Sequence, residues 1–148
     1  MVDRESIQQA MKAARGTQRA ELAFKEALHL LIEDKNALAA AELFKEVAEA
    51  DESELGKNAR LLLGHAYRAQ GKRRTAIFTY QRLARAEQAD DTTVMALIAL
   101  VEIGDTTVAK VAAERLVELR AQASRPAAID LLDAGETLTA IEKIYTDE

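Results

Sequence analysis

Apolar residues recur along this chain in steps of three and four, the spacing that puts side chains on one face of an α-helix. Ile7, Met11 and Ala14 form such a stripe behind Asp3, predicting a capped helix over 4–15 that Gly16 ends. Phe24, Leu28 and Leu31 predict a second helix, capped by Thr17 and running to Asp34. Past the Asp34-Lys35-Asn36 turn, Ala40, Phe44 and Val47 predict a helix over 36–50. Ser53 is placed to cap the helix that follows. The stretch 59–83, ARLLLGHAYRAQGKRRTAIFTYQRL, then holds two helical patterns that meet at Gly71. One runs through Leu63, Gly64 and Tyr67, the other through Ala76, Tyr80 and Leu83. Asp90 or Asp91 caps a helix over 92–103 that Gly104 closes, and Ala109, Ala113 and Leu116 mark the next. Ser124 and Pro126 start a last segment, in which Gly135, Ala140 and Ile144 give a weaker echo.

These elements repeat. Ala40, Ala76, Ala109 and Ala140 are separated by 36, 33 and 31 residues. The first interval sets Phe44 on Tyr80, Leu31 on Tyr67 and His29 on His65, with Leu28 and Lys35 where the central unit has Gly64 and Gly71. In the third unit Ala113 takes the place of Tyr80. Small residues at a fixed interval let paired helices cross closely, and an aromatic one turn on packs back between them. Gly71 is free to take the left-handed backbone conformation that ends a helix.

Leu-Gly-x-x-Tyr, then Gly-x-x-x-x-Ala, then an aromatic four residues on is the skeleton of the tetratricopeptide repeat, and 59–83 resembles that family. The resemblance extends over 21–119. It implies an all-α fold, a right-handed superhelix of antiparallel helix pairs in a single domain spanning 1–148. An N-terminal helix (1–16) precedes repeats at 17–52, 53–89 and 90–122, and capping helices at 123–148 follow. Terminal helices would shield the ends of such a stack.

Composition narrows the function. Apolar residues make up 49% and charged ones 30% of the 148, a balance that sustains a packed core. Absence of cysteine excludes a disulfide framework and thiol chemistry. The start carries no apolar core with a cleavage site, and no run is long enough to span a membrane, so a cytoplasmic protein is expected. The segment 57–86 holds eight cations and no Asp or Glu, a charge of +8, whereas the chain as a whole is −5 and the remainder therefore −13. An acidic run precedes it: Glu42, Glu46, Glu49, Asp51, Glu52 and Glu54. Two readings stand: solvated faces of neighbouring repeats that attract each other, or a site for an acidic partner.

Nothing in the chain assembles a catalytic set. There is no G-x-S-x-G, H-E-x-x-H, Gly-rich phosphate loop or Cys/His ligand group, so no enzyme, metal or cofactor is expected. Nucleic acid binding through the cationic segment is disfavoured, because Tyr67 and Tyr80 are expected in the core rather than as stacking platforms.

In tetratricopeptide proteins the first helix of each pair lines a concave groove. That resemblance implies an inner surface made by Leu22, Lys25, His29 and Ile32, by Asn58, Leu61, His65 and Arg68, and by Val94, Ile98 and Val101. His29 and His65 would be hydrogen-bonding groups there, or simply packed imidazoles; adjacent pairs lie about 10 Å apart, too far to share one metal ion. Lys25 suits the carboxylate clamp of some family members. His29 stands at the clamp's Asn, Leu62 and Met95 replace other polar members and Asp91 one Lys, which argues against that ligand. Val94–Ile103 is apolar around almost its whole circumference and needs cover from a terminal helix, a second copy or a bound client. The expected function is a non-enzymatic adaptor or chaperone gripping a protein or peptide segment with apolar anchors and acidic neighbours. Size and layout also resemble the small tetratricopeptide chaperones of bacterial type III secretion, which shield hydrophobic translocator subunits. The alternative is an oligomerisation subunit, such as a homodimer, using the same apolar face as a permanent interface.

Overall fold

The computed structural model describes residues 17–50, 53–86, 88–122 and 126. Six α-helices and no strand occur among the described residues: α1 (Thr17–Ile32), α2 (Ala37–Ala50), α3 (Glu54–Ala69), α4 (Arg73–Ala84), α5 (Asp91–Ile103) and α6 (Thr106–Arg120). The expected helix at 4–15 and the echo at Gly135, Ala140 and Ile144 lie outside the described residues. No described helix is long and apolar enough to cross a membrane. The chain divides into two compact units, Met1–Ala76 and Ile77–Glu148, with the division falling inside α4.

In the first unit α2 packs along both α1 and α3, and α1 also touches α3. The pairings are antiparallel. Arg19, near the start of α1, meets Glu46, near the end of α2, at 3.3 Å. Arg60 near the start of α3 donates to the Ala48 carbonyl (3.4 Å), and the Gln70 side chain past its end donates to the Ala37 carbonyl (3.3 Å). Ala20, Ala23, Ala27 and Leu30 of α1, Ala40, Phe44 and Val47 of α2, and Ala59, Leu63 and Ala66 of α3 form the core, with Phe24, Leu28 and Tyr67 packed against it. So many alanines on the buried stripes let the helix axes approach closely.

The turns show how the repeat is built. At the end of α3, Gly71 takes φ +78°, its N–H donates to the Arg68 carbonyl (3.0 Å) and the Lys72 N–H to the Tyr67 carbonyl (2.9 Å). This is a Schellman closure. Thirty-six residues earlier Lys35 also has positive φ, +53°, at the close of α1. The left-handed residue is thus kept where the glycine is not, although the closing bond differs: the Asn36 N–H donates to the Leu30 carbonyl (2.7 Å). α1 stops at Ile32 rather than Asp34 and takes in Thr17 as its first residue. Asn36 caps α2, accepting from the Ala39 N–H at 3.2 Å. Ser53 stands at the N-cap of α3, yet its side chain makes no cap hydrogen bond, against expectation.

In the second unit α5 packs along α6. Asp90 heads α5 in a reciprocal capping box: the Thr93 N–H donates to Asp90 Oδ1 (2.9 Å) and the Asp90 N–H to Thr93 Oγ1 (3.2 Å). Asp105 caps α6 through the Val108 N–H at 2.9 Å. Gly104 between them is extended (φ −67°, ψ 157°), so it ends α5 without a left-handed residue. Its missing Cβ serves a close approach instead. A Cβ there would fall 2.5 Å from the Leu100 carbonyl oxygen and 2.9 Å from Val108 Cγ1.

On α2, α4 and α6 the residues that define the repeat are buried. This holds for Ala40, Ala76 and Ala109, for Phe44, Tyr80 and Ala113, and for Val47, Leu83 and Leu116.

Candidate interaction surface

Helical geometry places two matching stripes on the first unit. The buried side of α1 leaves Lys25, His29 and Ile32 on the opposite face, with Leu22 beside them; the buried side of α3 leaves Leu61, His65 and Arg68 opposite, with Asn58 beside them. Members of the two sets correspond one to one at a 36-residue offset. Lys25, Asn58 and Arg68 are exposed, and Leu22, His29, Leu61 and His65 half-buried. Ile32 is 56% exposed, a large aliphatic side chain facing water. Because α1 and α3 touch, the stripes lie on neighbouring helices. Cations, imidazoles and aliphatic groups are interspersed there, a surface suited to a ligand with both acidic and apolar parts.

His29 is tied down locally. Its Nε2 stands 3.6 Å from Asp34 Oδ1, in the turn that closes its own helix. Among the described residues no group of three or more His, Asp and Glu is arranged to hold a metal ion.

The third helix of the expected groove departs from the reading. Val94 (0% exposed) and Val101 (7%) are buried, and only Ile98 of that trio reaches partway to the surface. The water-facing arc of α5 is Asp91, Met95 and Glu102, with Ile98 at its edge. On the helical wheel of α5 this arc is centred roughly 70° from the expected stripe of Val94, Ile98 and Val101. The cause is polarity. Asp91 and Glu102 are the ionised residues of this helix, and burying a charge costs far more than burying a valine gains. Val94 and Val101 are instead sheltered by the chain itself. Met95, outside the expected trio, belongs to this arc: three helical turns separate Asp91 from Glu102, and Met95 lies between them on the same side.

The cationic segment is a surface feature. Lys57, Arg68, Lys72, Arg73, Arg74, Arg82 and Arg85 are exposed, while Arg60 is half-buried. Glu42, Glu46, Glu49 and Glu54 are exposed as well, and Glu46 pairs with Arg19, outside that segment.

The chain matches no family model, and no curated protein or solved structure resembles it at a significant level.

Proposed function

We propose that this chain is a non-enzymatic interaction protein that holds a segment of a partner against the paired stripes of α1 and α3. The observation that carries this reading is their correspondence. Lys25 with Leu61, His29 with His65 and Ile32 with Arg68 are kept out of the core at equivalent places on two touching helices. The resemblance of 59–83 to tetratricopeptide repeats supports it, since members of that family bind extended or helical segments on their first helices. Apolar side chains of the segment would lie on Ile32 and Leu61, each burial contributing about 1.5–3 kcal/mol when complete. Its acidic groups would face Lys25 and Arg68, which set orientation and association rate more than affinity.

The experiment is affinity purification of the full chain from its source, followed by mass spectrometry, for wild type and for Ile32→Asp/Leu61→Asp. The expected result is a defined protein recovered with wild type and lost with the variant at unchanged far-UV helicity. An unchanged set of recovered proteins overturns the reading. Light scattering on the same pair covers the oligomerisation alternative: a concentration-independent dimer that the double substitution dissolves assigns the stripes to a second copy.

A further inference from the structure

The second unit contains a cleft that the paired stripes do not use. It encloses about 440 Å³ between α4, α5 and α6, within the range of ligand-holding clefts. Leu97 and Leu100 of α5 and Val108 and Ala112 of α6 line it with aliphatic groups. Two guanidinium groups also line it: Arg85, one residue past the end of α4, and Arg115 of α6. Arg115 donates to Glu118 Oε2 at 3.2 Å, which leaves its remaining N–H groups for another acceptor. Arg85 is exposed, and no side-chain ion pair or hydrogen bond is found for it among the described residues. Among the described residues, no carboxylate lines the cleft.

The apolar surface continues beyond the cleft. Val111, on its α6 wall, is 62% exposed. On the α4 side, Phe78 is 58% exposed and lies three and seven residues before Gln81 and Arg85, on the same helical face as those two lining residues. A small aliphatic acid would fill the cleft and leave Phe78 in water. A helical segment lying along the track would cover Phe78 and Val111 together.

We infer that this cleft is a second docking site, taking an acidic amphipathic helix of a partner protein with aliphatic anchors on Leu97, Leu100 and Val108 and carboxylates facing Arg85 and Arg115. Charge complementarity selects this occupant. The chain is −5 overall, so an acidic helix gains nothing from the net charge, and its favourable partners in this cleft are Arg85 and Arg115. The recognition mode is helix-in-groove, with anchors at i, i+3, i+4 and i+7. The site is distinct from the α1 and α3 stripes, and substitutions at either surface leave the other intact.

The test is fluorescence anisotropy of the full chain with a labelled amphipathic peptide of leucine at those spacings and glutamate between. A charge-swapped version with lysine is the control. The glutamate peptide should bind saturably, more tightly at low salt, and the lysine peptide should not. Arg85→Glu, an exposed position, should weaken binding about tenfold or more, the loss of roughly one charge-assisted contact. Phe78→Ser should also weaken it, while Ile32→Asp/Leu61→Asp should not. Equal binding of both peptides, or indifference to Arg85→Glu, overturns the proposal. Saturable binding of decanoate without peptide binding also overturns it and assigns the cleft to a small acid. Self-association that Arg85→Glu abolishes assigns it to a second copy.

Discussion

Phe24 and Phe44 meet edge to face between α1 and α2, their ring centroids 5.7 Å apart and their planes inclined at 72°. Positive ring edges point at negative ring faces in such a pair, which is worth about 0.5–1.5 kcal/mol beyond the area it buries. Phe44 is fully buried and Phe24 only partly. Phe44→Ala should therefore cost about 3–5 kcal/mol and Phe24→Ala less. A double-mutant cycle by urea denaturation should return the edge-to-face coupling, and additive losses would mean that the rings pack independently.

Lys35 and Gly71 share positive φ at a 36-residue offset, but only the glycine adopts it without strain. Lys35→Gly should leave stability unchanged or raise it by up to about 1 kcal/mol, as strain relief outweighs the added chain entropy. Gly71→Ala should lower it by about 1 kcal/mol through backbone strain alone, since nothing lies within 4 Å of the added Cβ. Gly104→Ala should cost more than Gly71→Ala, because its Cβ meets a backbone oxygen that cannot swing aside. Urea midpoints of the three variants give the order directly.

Three helix starts make a graded series. Asp90→Ala and Asp105→Ala each remove a side-chain cap and should each cost about 1 kcal/mol, with Asp90 the larger because its reciprocal box is lost as well. Ser53→Ala removes no cap bond and should cost less than either. Thermal unfolding followed by circular dichroism is sufficient to rank them.

Val94 and Met95 are neighbours in sequence and opposites in space. Met95→Glu extends the wet arc of α5 and should change stability by no more than about 0.5 kcal/mol. Val94→Asp puts a carboxylate into a closed apolar site and should unfold the second unit or cost several kcal/mol. Equal tolerance at the two positions, read by near-UV circular dichroism and proteolysis, would contradict the wet arc of α5 described above.

Much of the helical frame was legible because its causes are local. Apolar spacing marked the helices, Asp90 a cap, Gly71 a left-handed turn and the recurring alanines the buried crossings. Where several local options compete, the pattern is ambiguous: Thr17 is a helical residue, and Ser53 occupies a cap without making its bond. For the candidate surface, the stripes on α1 and α3 were legible, since each helix has one clearly apolar side and the opposite side must face out. On α5 that rule failed, because apolar residues surround the helix and periodicity no longer distinguishes inside from outside.

What the residues along the chain settled is which segments are helical, where most of them stop and which small positions lie at crossings, all consequences of interactions within a turn or two. Tertiary packing alone decided which side of α5 is wet, that Glu26 of α1 lies buried, and that residues from α4, α5 and α6 enclose one cleft. Those outcomes depend on neighbours distant in sequence, whose competition for the same buried volume no local pattern records.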